Sequence, residues 1–305
     1  MPSFSSRQKE ENSMKSSTAR FIPLALLVAW STGCGPGRVG APVADLAAAT
    51  ALRESLSSGS NAASAAEAAP VGTGWGTLKG RFLFAGTPGE RKVLVVDKET
   101  EVCTPGGMKL YDQSLRIDPD SKGLADVVVF VRKSTRVKNA AASGPPLVFD
   151  QKTCEFITPV FAARVGQQVD VKNSDPIGHN TNISGTPFNQ LIPAGGSTIF
   201  TPASETGMPI SVTCNIHPWM KAYAIFRKDG YVAVSAVDGA FQIPDLPAGE
   251  PLEFQVWHAR AAGGLKLERP DLKWNPKGRF QVMLQPDEVK DLGTLEVPAA
   301  VLSGS

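Results

Sequence analysis

The sequence predicts an all-β protein. From residue 75 onward, short runs of β-branched or alternating apolar residues recur, with Gly, Pro, Asn and Asp between them. The 29 Gly and 24 Pro suit frequent tight turns. No long stretch follows the helical period, whereas an α/β chain should show helices of roughly ten or more residues between its strands. Of 305 residues, 42% are hydrophobic and 20% charged, so neither wholesale disorder nor a multi-span membrane protein fits. The length suits two domains of ordinary size.

In chain order, residues 1–34 read as an export signal. Residues 14–34, MKSSTARFIPLALLVAWSTGC, have a basic start, an apolar run from Phe21 to Trp30, and small residues before Cys34. The run falls short of the about 20 residues that span a bilayer. Met14 is an alternative start. Thr32-Gly33-Cys34 resembles a bacterial lipobox, with Ser31 where Leu is usual, so Cys34 is a candidate for lipidation; the alternative is a plain signal peptide cut nearby. The expected location is periplasmic or cell-surface, with a possible lipid anchor. Residues 35–74 are dominated by Ala, Ser, Gly and Pro and read as a flexible tether, a composition unable to bury enough apolar surface to offset ordering entropy.

Strands are expected in 75–144 at Thr77–Phe84, Lys92–Asp97 and Asp126–Arg132. These residues are too few for a sandwich of their own. They either add to a unit at 145–228 or combine with 229–297, which would make 145–228 an insertion. In 145–228 the expected strands are Leu147–Asp150, Gln168–Asn173, Pro209–Cys214 and Ala222–Arg227. In 229–297 they are Tyr231–Ser235, Ala240–Ile243 and Glu253–His258, and 298–305 is a tail.

The formal charge of +2 arises in the first 33 residues, where Arg7, Lys9, Lys15 and Arg20 face Glu10 and Glu11. The remainder carries 27 basic and 27 acidic residues. A neutral body without a basic run argues against nucleic acid as a partner. The three histidines, His179, His217 and His258, are too few for a copper oxidase or reductase, which needs further imidazole-rich centres. The protein is therefore expected not to be an enzyme. If Cys34 is lipidated or removed, Cys103, Cys154 and Cys214 remain where disulfides are permitted. Three is odd, so one stays free or pairs between chains. A Cys103–Cys154 bridge would contribute roughly 4 kcal/mol in the chain-entropy model, leaving Cys214. A disulfide between two chains through Cys214 is the other possibility.

Cys214 opens the segment Cys214-Asn215-Ile216-His217-Pro218-Trp219-Met220, between two apolar strands. A second imidazole, His179, follows Asn173-Ser174-Asp175-Pro176-Ile177-Gly178. Two imidazoles, a thiolate and a weak thioether form the ligand set of a blue-copper site, because soft sulfur suits Cu(I) and imidazole keeps Cu(II) bound. Zinc has little use for the thioether, and iron–sulfur clusters need more thiolates. Pro218 restrains His217 to an extended backbone, and Pro218 with Trp219 would shield the metal. Taken singly, His179 reads as a loop histidine, Met220 as core, and Cys214 as a small buried hydrophobe. Their conjunction favours copper. His258 reads as structural, and Asp118, Asp120 and Asp126, without EF-hand spacing, as residues of a turn.

Cys214 to Met220 resembles the copper loop of the amicyanin-like cupredoxins, and His179-Asn180 resembles their upstream ligand segment. The likeness covers about 145–228, including Val165-Gly166-Gln167 and Asn173-Ser174-Asp175. It implies a Greek-key β-sandwich with one type 1 copper on His179, Cys214, His217 and Met220, and Asn180 hydrogen-bonded across to the Cys214 loop. The whole body resembles exported methylamine-utilisation-like proteins that add a carboxypeptidase-regulatory-like β-domain. That second unit is carried by Asp238-Gly239-Ala240-Phe241-Gln242-Ile243, Leu246-Pro247-Ala248-Gly249 and Val256-Trp257-His258. The implied function is single-electron transfer, by a monomer, to a redox protein such as a cytochrome c or a dehydrogenase docking on the rim of His217, Pro218 and Trp219. The rival expectation is a cell-surface binding or structural protein with the cupredoxin unit as scaffold or copper store.

Overall fold

The computed structural model describes residues 72–138 and 145–304; the export segment, Cys34 and nearly all of the tether lie outside the described residues. The chain enters with β1 (Trp75–Ala85), a loop, a single-turn helix α1 (Thr100–Cys103), and β2 (Val128–Val131). Nine strands follow: β3 (Leu147–Lys152), β4 (Glu155–Phe156), β5 (Val160–Arg164), β6 (Val169–Asn173), β7 (His179–Ile183), β8 (Asn189–Ile192), β9 (Ser197–Phe200), β10 (Ile210–Thr213) and β11 (Lys221–Arg227). The chain closes with β12 (Val232–Val234), β13 (Ala240–Pro247), β14 (Pro251–Trp257), β15 (Arg279–Met283) and β16 (Val289–Pro298).

These strands form two sandwiches. In the first, a sheet ordered β13-β1-β16 faces one ordered β12-β2-β14-β15, and Leu78, Phe82, Val129, Val131, Phe254 and Leu295 share its core. In the second, β4-β3-β6-β9 faces β5-β11-β10-β7-β8, around Phe149, Val171, Ile183, Val212, Ala224 and Phe226. Because β1 and β2 pair with strands beyond residue 231, the second sandwich is an insertion between β2 and β12. Residues 75–131 thus supply strands to the first sandwich.

β2 explains how the two cores meet. Its Val-Val-Phe-Val run is buried on both faces, as a continuous apolar strand should be. Val129 and Val131 point into the first core, and Val128 and Phe130 pack with Val160, Ile225 and Trp257 of a smaller cluster that reaches β5 and β11. Arg227 is buried there, with Nη2 donating to Val131 O at 2.7 Å. Its charge is compensated by Glu205 at 2.8 Å and Asp229 at 3.6 Å, as a buried cation requires.

One strand expected from the sequence is absent from the structure. Lys92–Asp97 is an extended strap with a single bridge, Val93 to Tyr111. Val93 and Val95 face solvent while Val96 packs on the second core. The alternation reflects one buried side, but no neighbouring strand completes a ladder. Asp118 caps its own turn, accepting from Ser121 N at 2.7 Å and Asp120 N at 3.2 Å, and Asp126 holds Arg116. The Asp238-Gly239 turn needs its glycine. Gly239 has φ +84°, and a Cβ there would stand 2.0 Å from Phe82 O.

Candidate metal centre

His179 and Cys214 come from neighbouring strands of the five-stranded sheet. β7 begins at His179, and β10, paired to it through Val212–Ile183 and Thr213–Asn182, ends just before Cys214. The chain then turns tightly. Met220 N donates to His217 O at 2.9 Å, and Cys214 N to Met220 O at 3.4 Å. These bonds fold the loop so that His217 returns over Cys214.

The donor atoms converge in a dry pocket. His179 and His217 are fully buried, and Cys214 and Met220 are 2% exposed. His179 Nδ1 lies 2.9 Å from His217 Nδ1, which is 3.8 Å from Cys214 Sγ. Two nitrogens and a sulfur bound tetrahedrally at metal-ligand distances stand about 3.3 Å (N to N) and about 3.6 Å (N to S) apart, so these two separations are close to those of a chelate, and all three atoms lie within 4.8 Å of one another. Met220 is buried in the same cluster as Cys214. Cys214 is the one free cysteine among the described residues. Its sulfur accepts two backbone N–H groups, from Asn180 at 3.3 Å and His217 at 3.4 Å, which suits a sulfur carrying negative charge on a metal.

Each imidazole is turned by a carboxylate. His179 Nε2 meets Asp175 Oδ2 at 2.7 Å, and His217 Nε2 meets Glu99 Oε2 at 2.5 Å. A carboxylate only accepts, so each Nε2 carries the proton and each Nδ1 is left as a bare donor. Two such lone pairs facing each other at 2.9 Å repel unless a proton or a metal ion lies with them, and with the cysteine sulfur beside them the donor set suits a metal ion. Burial holds His179 below the ordinary histidine range and the nearby His217 adds to this, while the hydrogen bond it donates to Asp175 opposes it.

Asn180 spans the two loops. Its Oδ1 accepts from Asn215 N at 3.1 Å, and its Nδ2 donates to Asn189 Oδ1 at 2.8 Å. Cys103 and Cys154 are joined in a disulfide, beside which Trp219 Nε1 donates to Cys154 O at 3.1 Å. The expected docking rim is altered. Pro218 is exposed and Trp219 half-buried, but His217 is covered because Glu99 occupies its outer edge. A cavity of about 320 Å³ opens on the other flank, lined by Trp219, Met220, Lys92, Asp112 and Arg260. His258 lies apart from the centre, its Nδ1 accepting from Arg260 N at 3.1 Å.

Glu99 and Asp175 are absent from the residues the sequence marks out. Asp175 had a local signal, standing four residues before His179 in a Pro-containing turn. Glu99, 118 residues from its partner, had none.

Fold and site together define an all-β protein of two sandwiches, one of which holds a buried group of two histidines and a cysteine. Among solved structures, the chain is similar to a reduced Cu(I) form of an amicyanin variant, at 17% identity over 32% of this chain and 98% of that one, with a TM-score of 0.25. It is similar to the same degree to amicyanin from Paracoccus versutus, at 17% identity over 32% of this chain and 97% of that one, with a TM-score of 0.25. A copper-containing nitrite reductase from Thermus scotoductus is 19% identical over 31% of this chain and 25% of that one, with a TM-score of 0.24. No family model and no curated protein matches the chain. The likenesses concern a third of the chain, and the reading of the site rests on its own geometry.

Proposed function

We propose that the protein is an exported type 1 copper protein that carries single electrons between redox partners. The observation that carries this reading is the convergence of His179 Nδ1, His217 Nδ1 and Cys214 Sγ in a buried pocket, with each imidazole already turned inward. Bound there, copper would supply a one-electron couple, with Met220 as the weak fourth ligand. The chain's part is to keep the donors fixed. Pro218 and the two backbone bonds of the loop hold His217, Asn180 ties the Cys214 loop to β7, and burial excludes water. Such fixity suits electron transfer, which is fastest when the two oxidation states share one geometry.

A redox partner, such as a cytochrome c or a dehydrogenase, would dock on the exposed face of Asn215 and Pro218 beside Trp219. Weak redox encounters bury less than about 1,200 Å², which a small neutral patch can supply. The disulfide accords with export, and a lipid on Cys34 with the tether behind it would hold the body off a membrane. One observation favours a second reading, a copper store or structural unit. The outer edge of His217 is closed by Glu99, which slows exchange with a partner.

Copper added to the metal-free protein should produce an intense blue colour from the copper–thiolate bond, and Cys214→Ser should abolish it. A wild-type protein that stays colourless on binding copper sinks the electron-carrier reading. A coloured protein whose copper cannot be reduced or oxidised by any cytochrome favours storage.

A further inference from the structure

Glu99 reaches the metal centre from outside the sandwich that builds it. It stands at the start of α1, on the strap between β1 and β2, and its backbone is left-handed at φ 46° and ψ 40°. A non-glycine residue held there is strained, and an ion pair with a half-exposed carboxylate offsets little of that by itself. Something else must hold it.

Three contacts do so. Glu99 Oε2 meets His217 Nε2, Lys98 Nζ donates to Ile216 O at 3.2 Å, and Cys103, at the end of α1, is bonded to Cys154. The far end of that crosslink is built in the same manner. Thr153 and Cys154 both have φ 54°, a conformation that turns their successive N–H groups onto the Asp175 carboxylate at 2.6 and 2.8 Å. Asp175 in turn holds His179. One disulfide therefore joins the segment that carries Glu99 to the turn whose N–H groups hold Asp175, so both carboxylates that orient the imidazoles are tied to it, one along the chain and one through hydrogen bonds.

We propose that Glu99 is a positioning residue of the metal centre, delivered by a disulfide-pinned strap that fixes the His217 ring from its outer nitrogen and closes that edge to solvent. For the identity of the metal this rests on the copper reading, but the positioning itself does not. The carboxylate keeps the proton on Nε2, so Nδ1 always faces Cys214 and His179. Its negative charge also makes the imidazole a stronger donor, which favours the higher oxidation state of a bound metal and lowers its reduction potential.

The test uses the full mature chain with Glu99→Gln and Glu99→Ala, substitutions at a half-exposed side chain that the fold tolerates. In the metal-free protein, ¹⁵N NMR should show His217 as the Nε2–H tautomer in wild type and in Glu99→Gln, whose amide oxygen still accepts, and as a mixture in Glu99→Ala. Cu(II) affinity by chelator competition should fall about 10- to 100-fold in Glu99→Ala and recover in Glu99→Gln. The reduction potential should rise in both, since both lose the charge. An unchanged tautomer in Glu99→Ala, or unchanged affinity and potential in both variants, overturns the proposal. If the tautomer shifts as expected while wild type gives no visible band with copper, the positioning stands and the copper reading alone fails.

Discussion

The three histidines share one degree of burial and sit in two opposite environments. At the end of the inserted sandwich, His179 and His217 each have a carboxylate on Nε2 and turn Nδ1 toward the other and toward Cys214. In the first sandwich, His258 follows β14, accepts a single backbone N–H from Arg260, and turns Nε2 toward the Ala125 backbone without a well-formed hydrogen bond. Burial, with Arg260 adding to it, pushes His258 down to about 4. Burial alone makes a neutral ring used for packing. Burial with an acid behind each ring and a sulfur in front makes a preformed set of donors.

The strongest way to break this contrast is to cut the crosslink. Replacing Cys103 and Cys154 together with Ser frees a loop of 51 residues, and the chain-entropy model puts the loss at about 4 kcal/mol. The expected result is a lower urea midpoint than wild type, matched by wild type in dithiothreitol. The effect should also be local. His217 should become reactive toward diethylpyrocarbonate while His258 stays protected. Equal exposure of both rings would mean that the crosslink serves the whole molecule and that the two environments are not separate.

His258 gives the next largest effect, through pH. An unfolded histidine titrates near 6.5, and the folded one at about 4, so between these values the unfolded chain binds the extra proton. This contribution to stability is fully present above about pH 6.5. It is lost as pH falls, and no further loss from this group follows below about 4. The whole window is worth about 3 kcal/mol, of which about 2 kcal/mol is gone by pH 5. Denaturation at pH 7.5 and pH 5 should show wild type losing about 2 kcal/mol more than His258→Gln. The same loss in both would mean that His258 gains its proton without unfolding, and the packing role would have to be given up.

Much of the site was legible because its information is local. Cys214, His217, Pro218 and Met220 lie within one seven-residue loop, so residue type and spacing alone bring thiolate, imidazole and thioether together. His179 and Asn180 were readable by resemblance. Glu99 was not legible, since a glutamate reaching across 118 residues leaves no periodicity, and Asp175 was legible only as part of the turn before His179. The strap was misread for a related reason. Leu94 and Val96 are half-buried between exposed Val93 and Val95, and one-sided burial gives the same alternation whether or not a partner strand exists. Short strands such as β4, β8 and β9 escaped because their apolar content is one or two buried residues each. Strands β1, β2, β10 and β11 were read with small shifts at their ends because their apolar runs are long or alternate cleanly.

The smallest effect concerns the bridge that the sequence did reveal. Asn180→Ala removes the acceptor of Asn215 N and the donor to Asn189 and Gln190, but leaves the backbone N–H of residue 180 on the Cys214 sulfur. Asn215 itself is exposed, so water can replace the lost acceptor, and the expected destabilisation is only about 1 kcal/mol. The loop should loosen without losing its donors. Hydrogen exchange at Asn215 should quicken while the band from bound copper persists with a small shift, in contrast to its complete loss in Cys214→Ser. A complete loss in Asn180→Ala as well would show that the side-chain bridge, rather than the β7–β10 pairing and the loop's own backbone bonds, brings Cys214 to the two histidines.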